Sequence, residues 1–102
     1  MQDFKTVAIY AARVAGTILE KHFPTRADTT DRRPEGPDHW MAVEERRAER
    51  VLVKTIQGAF PTHAVLTEES GWPSRRESPY AWIIDPLDGT INYAHGVPIF
   101  CI

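Results

Sequence analysis

Apolar residues recur at helical spacing near the start of the chain: Phe4, Val7, Ala8, Ala11, Ala15, Ile18 and Leu19 fall on one stripe. The pattern predicts an amphipathic helix running to about His22, with Pro24 as its stop. Ile9 and Val14 lie off the stripe, where a second surface or a partner subunit can meet them, and His22 reads as a partner for the negative end of the helix dipole. Residues Thr25 to Asp38 (TRADTTDRRPEGPD) then carry almost nothing apolar, and Pro34, Gly36 and Pro37 interrupt them. A solvated, mobile loop is predicted there, longer than an idle connection needs to be. The helical period returns from about Asp38, a residue able to cap a helix. Val43, Ala48, Val51, Leu52, Thr55, Ile56 and Ala59 form a second stripe that Gly58 and Pro61 bring to an end. Glu44, Glu45, Arg46, Arg47, Glu49 and Arg50 are assigned by the same pattern to a solvated face, with Glu44 and Arg47 spaced to pair.

Beyond Pro61 the apolar runs shorten. His63 to Thr67 reads as one strand and Ala81 to Ile84 as another, the second buried. The intervening Gly71 to Pro79 reads as a loop from its glycine and proline content. The two helices are expected to lie antiparallel on one face of the sheet. Val97 to Ile102 reads as a strand just beginning, with no sequence left to cover its faces, so the chain is expected to be the N-terminal part of a larger protein.

The chemistry concentrates where the strands stop. After Ala81-Trp82-Ile83-Ile84 comes Asp85-Pro86-Leu87-Asp88-Gly89-Thr90. Pro86 has no amide to give a ladder and Gly89 permits a positive φ, so the backbone must turn, with two carboxylates at a strand end. Desolvating such charges side by side costs roughly several kcal/mol per ion, which calls for a cation. Oxygen ligands select Mg²⁺, Mn²⁺ or Ca²⁺. Thr90 to Ala94 can form a short helix whose first amides face the same place and suit an anion. A plain surface turn uses the same residue types. The upstream Glu68-Glu69-Ser70-Gly71 argues against that plainer reading, because adjacent strands ending in carboxylates can present Glu68, Asp85 and Asp88 to one volume. The spacing of an EF-hand is absent, since Gly96 stands where its bidentate glutamate would be.

Composition narrows the class without naming it. A hydrophobic share of 42% and a charged share of 25% are ordinary for a globular domain. A formal net charge of -2 argues against a nucleic-acid or anionic-membrane footprint. Cys101 is the single cysteine and has no internal disulfide partner, which suits a reducing cytoplasm; it reads as a small buried residue. No apolar run approaches the ~20 residues that a bilayer needs. His39 and His63 read as surface histidines.

Thr67-Glu68-Glu69-Ser70, followed by Trp82-Ile83-Ile84-Asp85-Pro86-Leu87-Asp88-Gly89-Thr90-Ile91-Asn92-Tyr93-Ala94-His95-Gly96, resembles the inositol monophosphatase family of Mg²⁺-dependent, lithium-sensitive sugar phosphatases. The resemblance implies an α/β (α+β) fold, the N-terminal part of a layered αβαβα sandwich with two helices on a mainly antiparallel sheet, and a single domain over residues 1–102. It implies hydrolysis of a phosphate monoester, inositol monophosphate first, by water activated at two or three Mg²⁺ ions. Carried over residue by residue, Glu68, Asp85, Asp88 and the Leu87 carbonyl hold metal, and Asp88, Gly89 and Thr90 contact substrate. The Thr90 hydroxyl orients the water, and Glu68 or Glu44 takes its proton. Family members usually read Asp-Leu-Val-Thr-x-x-Asp near the start of the second helix, where this chain has Asp38-His39-Trp40-Met41-Ala42-Val43-Glu44. Glu44 therefore stands either for the final aspartate or for a helix-surface residue. By the same comparison Arg33 takes the place of a loop lysine, or is a solvated arginine. Glu69, Ser70 and His95 are expected in structural hydrogen bonds.

The resemblance also implies that this chain alone is inactive, because a metal-binding aspartate lies in a C-terminal part. Two alternatives remain open. One is a sister activity: 3'(2'),5'-bisphosphate nucleotidase, fructose-1,6-bisphosphatase or histidinol-phosphatase. The other is a non-catalytic interaction piece. A homodimer is what the family suggests, with a small phosphorylated substrate and neither nucleic acid nor membrane as partner.

Overall fold

The computed structural model describes residues 3–24, 36–74 and 77–102, with residues 36–40 described in backbone only. Helix α1 spans Phe4–Lys21. It starts where Asp3, in an extended conformation, turns its carboxylate onto the Thr6 amide at 3.3 Å and the Thr6 hydroxyl at 3.1 Å, which satisfies one of the free amides of the first turn. Val7, Ala11, Ala15 and Leu19 are its buried residues. Two alanines in that row let the neighbouring helix approach closely. Phe4, expected on the same stripe, is 44% exposed and belongs instead to an aromatic cluster at the end of the helix.

Helix α2 spans Gly36–Ala59, so its backbone begins two residues before Asp38; Pro37 fits there because the first turn has no use for its missing amide. The loop expected over Thr25 to Asp38, and Arg33 with it, otherwise lies outside the described residues. Ala48, Leu52 and Ile56 of α2 meet Ala11, Ala15 and Leu19 of α1 in the core. Full burial of each larger aliphatic side chain contributes about 1.5–3 kcal/mol. The solvated face expected on α2 is corrected in part. Arg46, Arg47 and Arg50 are exposed, but Glu44, Glu45 and Glu49 are 7%, 5% and 7% exposed. Glu45, Glu49, Leu52 and Ile56 follow one another at four, three and four residues, so these two glutamates extend the buried row toward the sheet end.

Three strands form a mixed sheet in the order β2-β1-β3. Strand β1 (Ala64–Thr67) is central; β2 (Gly71–Ser74) returns antiparallel to it, and β3 (Ala81–Ile84) runs parallel. Strand β2 replaces part of the loop expected over Gly71 to Pro79. The turn at Glu68 to Ser70, with the Ser70 amide bonded to the Thr67 hydroxyl at 3.0 Å, folds the chain back into a hairpin. Pro73 is tolerated because β2 is the edge of the described sheet. Strand β3 is not buried throughout, as its apolar run suggested. Ile84 faces the helices at 7% exposure, whereas Ile83 is 80% exposed on the opposite face, where no described element packs. No helix of the described residues is long and apolar enough to cross a membrane.

At the end of the sheet where β1 and β3 begin, His63 is 8% exposed, a correction to its reading as a surface residue. Its ring stacks on Phe60 at 4.7 Å, and its Nδ1 accepts the Trp82 indole N–H at 3.0 Å.

Candidate active site

Parallel pairing of β1 with β3 is what builds the site. In register Thr67 lies opposite Ile84, and the Glu68 amide donates to the Ile84 carbonyl at 3.0 Å. Glu68 and Asp85, each the first residue beyond its strand, therefore emerge side by side. An antiparallel pair would have sent them to opposite ends of the sheet. The Glu68 carboxyl hydrogen-bonds Asp85 and is pushed up from its ordinary value, first by that bond, then by the charge of Asp85, with burial, Glu69 and Asp88 adding to it.

The turn after β3 is held from within. The Asp85 Oδ1 accepts the Leu87 amide at 3.2 Å, and Pro86 and Leu87 are buried beneath it. Asp88 and Cys101 exchange backbone hydrogen bonds of 2.8 and 3.0 Å in an isolated bridge, all that forms of the strand expected at Val97 to Ile102. Gly89 has φ 92°, and a Cβ there would lie 3.0 Å from the Ile99 carbonyl oxygen. Both the conformation and the close approach require glycine. Helix α3, Thr90–Ala94, follows directly, anchored by Tyr93, which is fully buried and donates its hydroxyl to the Leu19 carbonyl at 2.7 Å. The bond satisfies a carbonyl near the end of α1 and fixes α3 against the helical layer. Burial, and then the Glu44 charge, raise the Tyr93 phenol well above its usual range.

A further carboxylate arrives from α2. Glu45 is held up to about 7, first by burial, then by a hydrogen bond to Glu69, then by the charges of Glu69, Asp85 and Glu68. Its Oε1 is buried with no hydrogen-bond partner among the described residues. Glu44, named from the sequence for this place, points elsewhere: its carboxylate lies 3.5 Å from Arg47 and 3.8 Å from the His22 ring. Consecutive residues on a helix are about 100° apart, so only one of the pair can face the strand ends. The usable sequence signal was phase, because Glu45 and not Glu44 continues the row through Glu49, Leu52 and Ile56.

Cys101 is exposed, a correction to its reading as a buried residue, and its thiol lies 3.7 Å from the Asp88 Oδ2. Local desolvation by its neighbours first and the Asp88 charge second push that exposed thiol up. His95 is exposed and bonds through Nδ1 to the Ile91 carbonyl at 2.8 Å. Glu69, expected in a structural hydrogen bond, is among the causes that raise Glu45.

At one end of the sheet the charges of Glu69, Asp85 and Asp88 thus bear on the Glu45 and Glu68 carboxyls, and those two are raised. Among the described residues no group of three or more His, Cys, Asp or Glu side chains is placed to hold a metal ion. The donor set nonetheless suits a hard divalent cation: all its ligand atoms are carboxylate oxygens, they repel one another, and a buried one lacks a partner.

Two helices on a mixed sheet with acidic strand ends are the architecture of the sugar-phosphatase fold. Over residues 1–102 the sequence matches the family pattern of the inositol monophosphatase family, and the chain belongs to that family. It is 34% identical over 102 residues to Nus factor SuhB of Salmonella typhimurium, spanning all of this chain and 38% of that protein. The solved inositol monophosphatase from Anabaena (Nostoc) sp. PCC 7120 superposes with a TM-score of 0.72 at 34% identity, covering 94% of this chain and 31% of that one. The extragenic suppressor protein suhB from Bartonella henselae gives 0.74 at 31% identity, covering 94% and 35%.

Proposed function

We propose that this chain supplies the metal-holding and phosphate-holding part of a Mg²⁺-dependent phosphomonoesterase, with inositol monophosphate the first substrate to test. The parallel β1–β3 pair sets Glu68 beside Asp85, and Glu45 bears on both from α2; that convergence carries the reading. Glu68, Asp85 and Asp88 would hold Mg²⁺ through their side chains and Leu87 through its carbonyl, with two or three ions as the family resemblance implies. When bound, the ions supply charge neutralisation and a more acidic water. The chain's own groups do the remainder. The Asp85–Leu87 hydrogen bond and the Asp88–Cys101 bridge keep the turn rigid, so the carboxylates need no reorganisation. Gly89 and Thr90 open α3 and present amides to the phosphate, and the Thr90 hydroxyl orients the attacking water. Glu68 takes the proton, with Glu45 as the helical carboxylate in the role first assigned to Glu44; a group held at about 7 is matched to a neutral-pH base.

The chain spans 38% of the length of the curated relatives it matches, so activity belongs to a full-length protein and the chain alone is expected to be inactive. That protein is proposed to be a cytoplasmic homodimer. Phosphate release by the full-length protein, measured with inositol monophosphate, a 3'(2'),5'-bisphosphate nucleotide, fructose 1,6-bisphosphate and histidinol phosphate across a Mg²⁺ series, tests the reading. Asp85→Asn should lower release at least a hundredfold. Mg²⁺-independent release, or an Asp85→Asn variant with full activity, would overturn it. The name Nus factor carried by the Salmonella relative favours a second reading, in which the protein is primarily a binding component. Mg²⁺ binding with no turnover of any of the four esters would select that one.

A further inference from the structure

The inward turn of the α2 glutamates leaves Arg46, Arg50 and Lys54 of that helix with no ion pair among the described residues. On a solvated helix, Glu and Arg three or four residues apart screen each other. Here Glu44, Glu45 and Glu49 are buried, while Arg46, Arg50 and Lys54 are exposed. Among the described residues the ion pairs on α2 are those of Glu44, with Arg47 and His22. Arg46, Arg50 and Lys54 line one side of a groove of about 710 Å³, and Ser70 and Pro73 at the β2 edge line the other. Arg50 also borders a neighbouring groove with Lys21 and Arg47, so the positive surface is continuous around α2. Glu49 lines the first groove, and its Oε2 is buried with no hydrogen-bond partner among the described residues. The groove therefore offers a row of cations and one buried acceptor in want of a donor. A net charge of -2 for the whole chain conceals this segregation.

We propose that the groove is a docking site for an acidic peptide segment, in extended conformation, of a protein partner. Three features select that occupant. Side chains at i, i+4 and i+8 rise in steps of about 6 Å along a helix, close to the roughly 6.6 Å between alternate residues of an extended strand. Carboxylates at every second position of a peptide would thus meet Arg46, Arg50 and Lys54 in turn, and a peptide N–H or hydroxyl between them would satisfy Glu49. A phosphodiester group brings no donor for Glu49, and no aromatic ring lines the groove among the described residues to stack a base. A bilayer surface cannot follow a concave site. The docking site is independent of whether the carboxylate cluster turns over a phosphate ester.

The test is fluorescence anisotropy of the full-length protein with a labelled peptide of alternating Asp and Ser, in EDTA. Arg46→Glu/Arg50→Glu/Lys54→Glu should weaken binding at least tenfold without lowering the melting temperature, and the same variant should bind the Lys-Ser counterpart of the peptide. Glu49→Leu should weaken the Asp-Ser peptide about threefold or more while leaving its salt dependence unchanged. A change of less than twofold in the charge-reversed variant overturns the proposal. So does tighter binding of a single-stranded oligouridylate of equal charge, or of phosphatidylglycerol vesicles. Should the triple variant fail to fold, hydrogen exchange of the wild-type protein decides the point. Peptide-dependent protection over residues 46–58 and 70–73 supports the groove, and protection confined elsewhere, or none, overturns it.

Discussion

Replacing Glu45 by Gln tests whether the acidic end of the sheet is held together against its own repulsion. In the folded protein the Glu45 carboxyl is lifted from 4.5 to about 7 by burial, by Glu69 and by the charges of Asp85 and Glu68. A carboxyl whose proton affinity rises on folding leaves the folded state with more bound protons than the unfolded one between those values. The Glu45 contribution to stability without metal therefore falls as pH rises from about 4.5 to 7, and its cost stays in full above that. Converted at about 1.4 kcal/mol per pH unit, the cost is roughly 3 kcal/mol at pH 8. Glu68 is shifted in the same direction and adds to the fall. Glu45→Gln keeps a hydrogen-bonding partner for Glu69 and removes the charge. The variant should be more stable than wild type by about 1–3 kcal/mol at pH 8 in EDTA, nearly equal to it at pH 4.5, and flatter between. Mg²⁺ should stabilise wild type at pH 8 and do so less in the variant. Urea unfolding at pH 4.5 and 8, with and without Mg²⁺, reads all of these. A wild-type protein as stable at pH 8 as at pH 4.5, or a variant that keeps the whole fall, would refute the reasoning.

Gly89→Ala forces a left-handed backbone on an alanine and drives its Cβ to 3.0 Å from the Ile99 carbonyl, so unfolding free energy should drop by about 2 kcal/mol or more, read from urea midpoints. Tyr93→Phe leaves the Leu19 carbonyl without the hydroxyl it accepts and should cost about 1–2 kcal/mol by the same measurement. Leu52→Ala, in the seam between α1 and α2, should cost about 2–5 kcal/mol.

Much of this molecule was legible in the sequence because its signals are local. The two helical stripes reduce to a period that Val7, Ala11, Ala15 and Leu19, or Ala48, Leu52 and Ile56, repeat without help from distant residues. The turn at Asp85 to Thr90 is equally local: a proline ends the strand and a glycine permits the reversal, so its place and its two carboxylates follow from residue type. What the sequence left open depends on contacts between segments far apart in the chain. Which of Glu44 and Glu45 faces the site is a matter of helix phase against a sheet that lies some twenty residues on. Strand β2, the burial of His63 beneath Phe60 and Trp82, and the exposure of Ile83 are likewise set by what packs on each face. The parallel register of β1 and β3 is the decisive case. Residue type placed an acid at the end of each strand, but only the direction in which those strands pair puts Glu68 beside Asp85, because backbone hydrogen bonds between distant segments carry no trace in the local pattern.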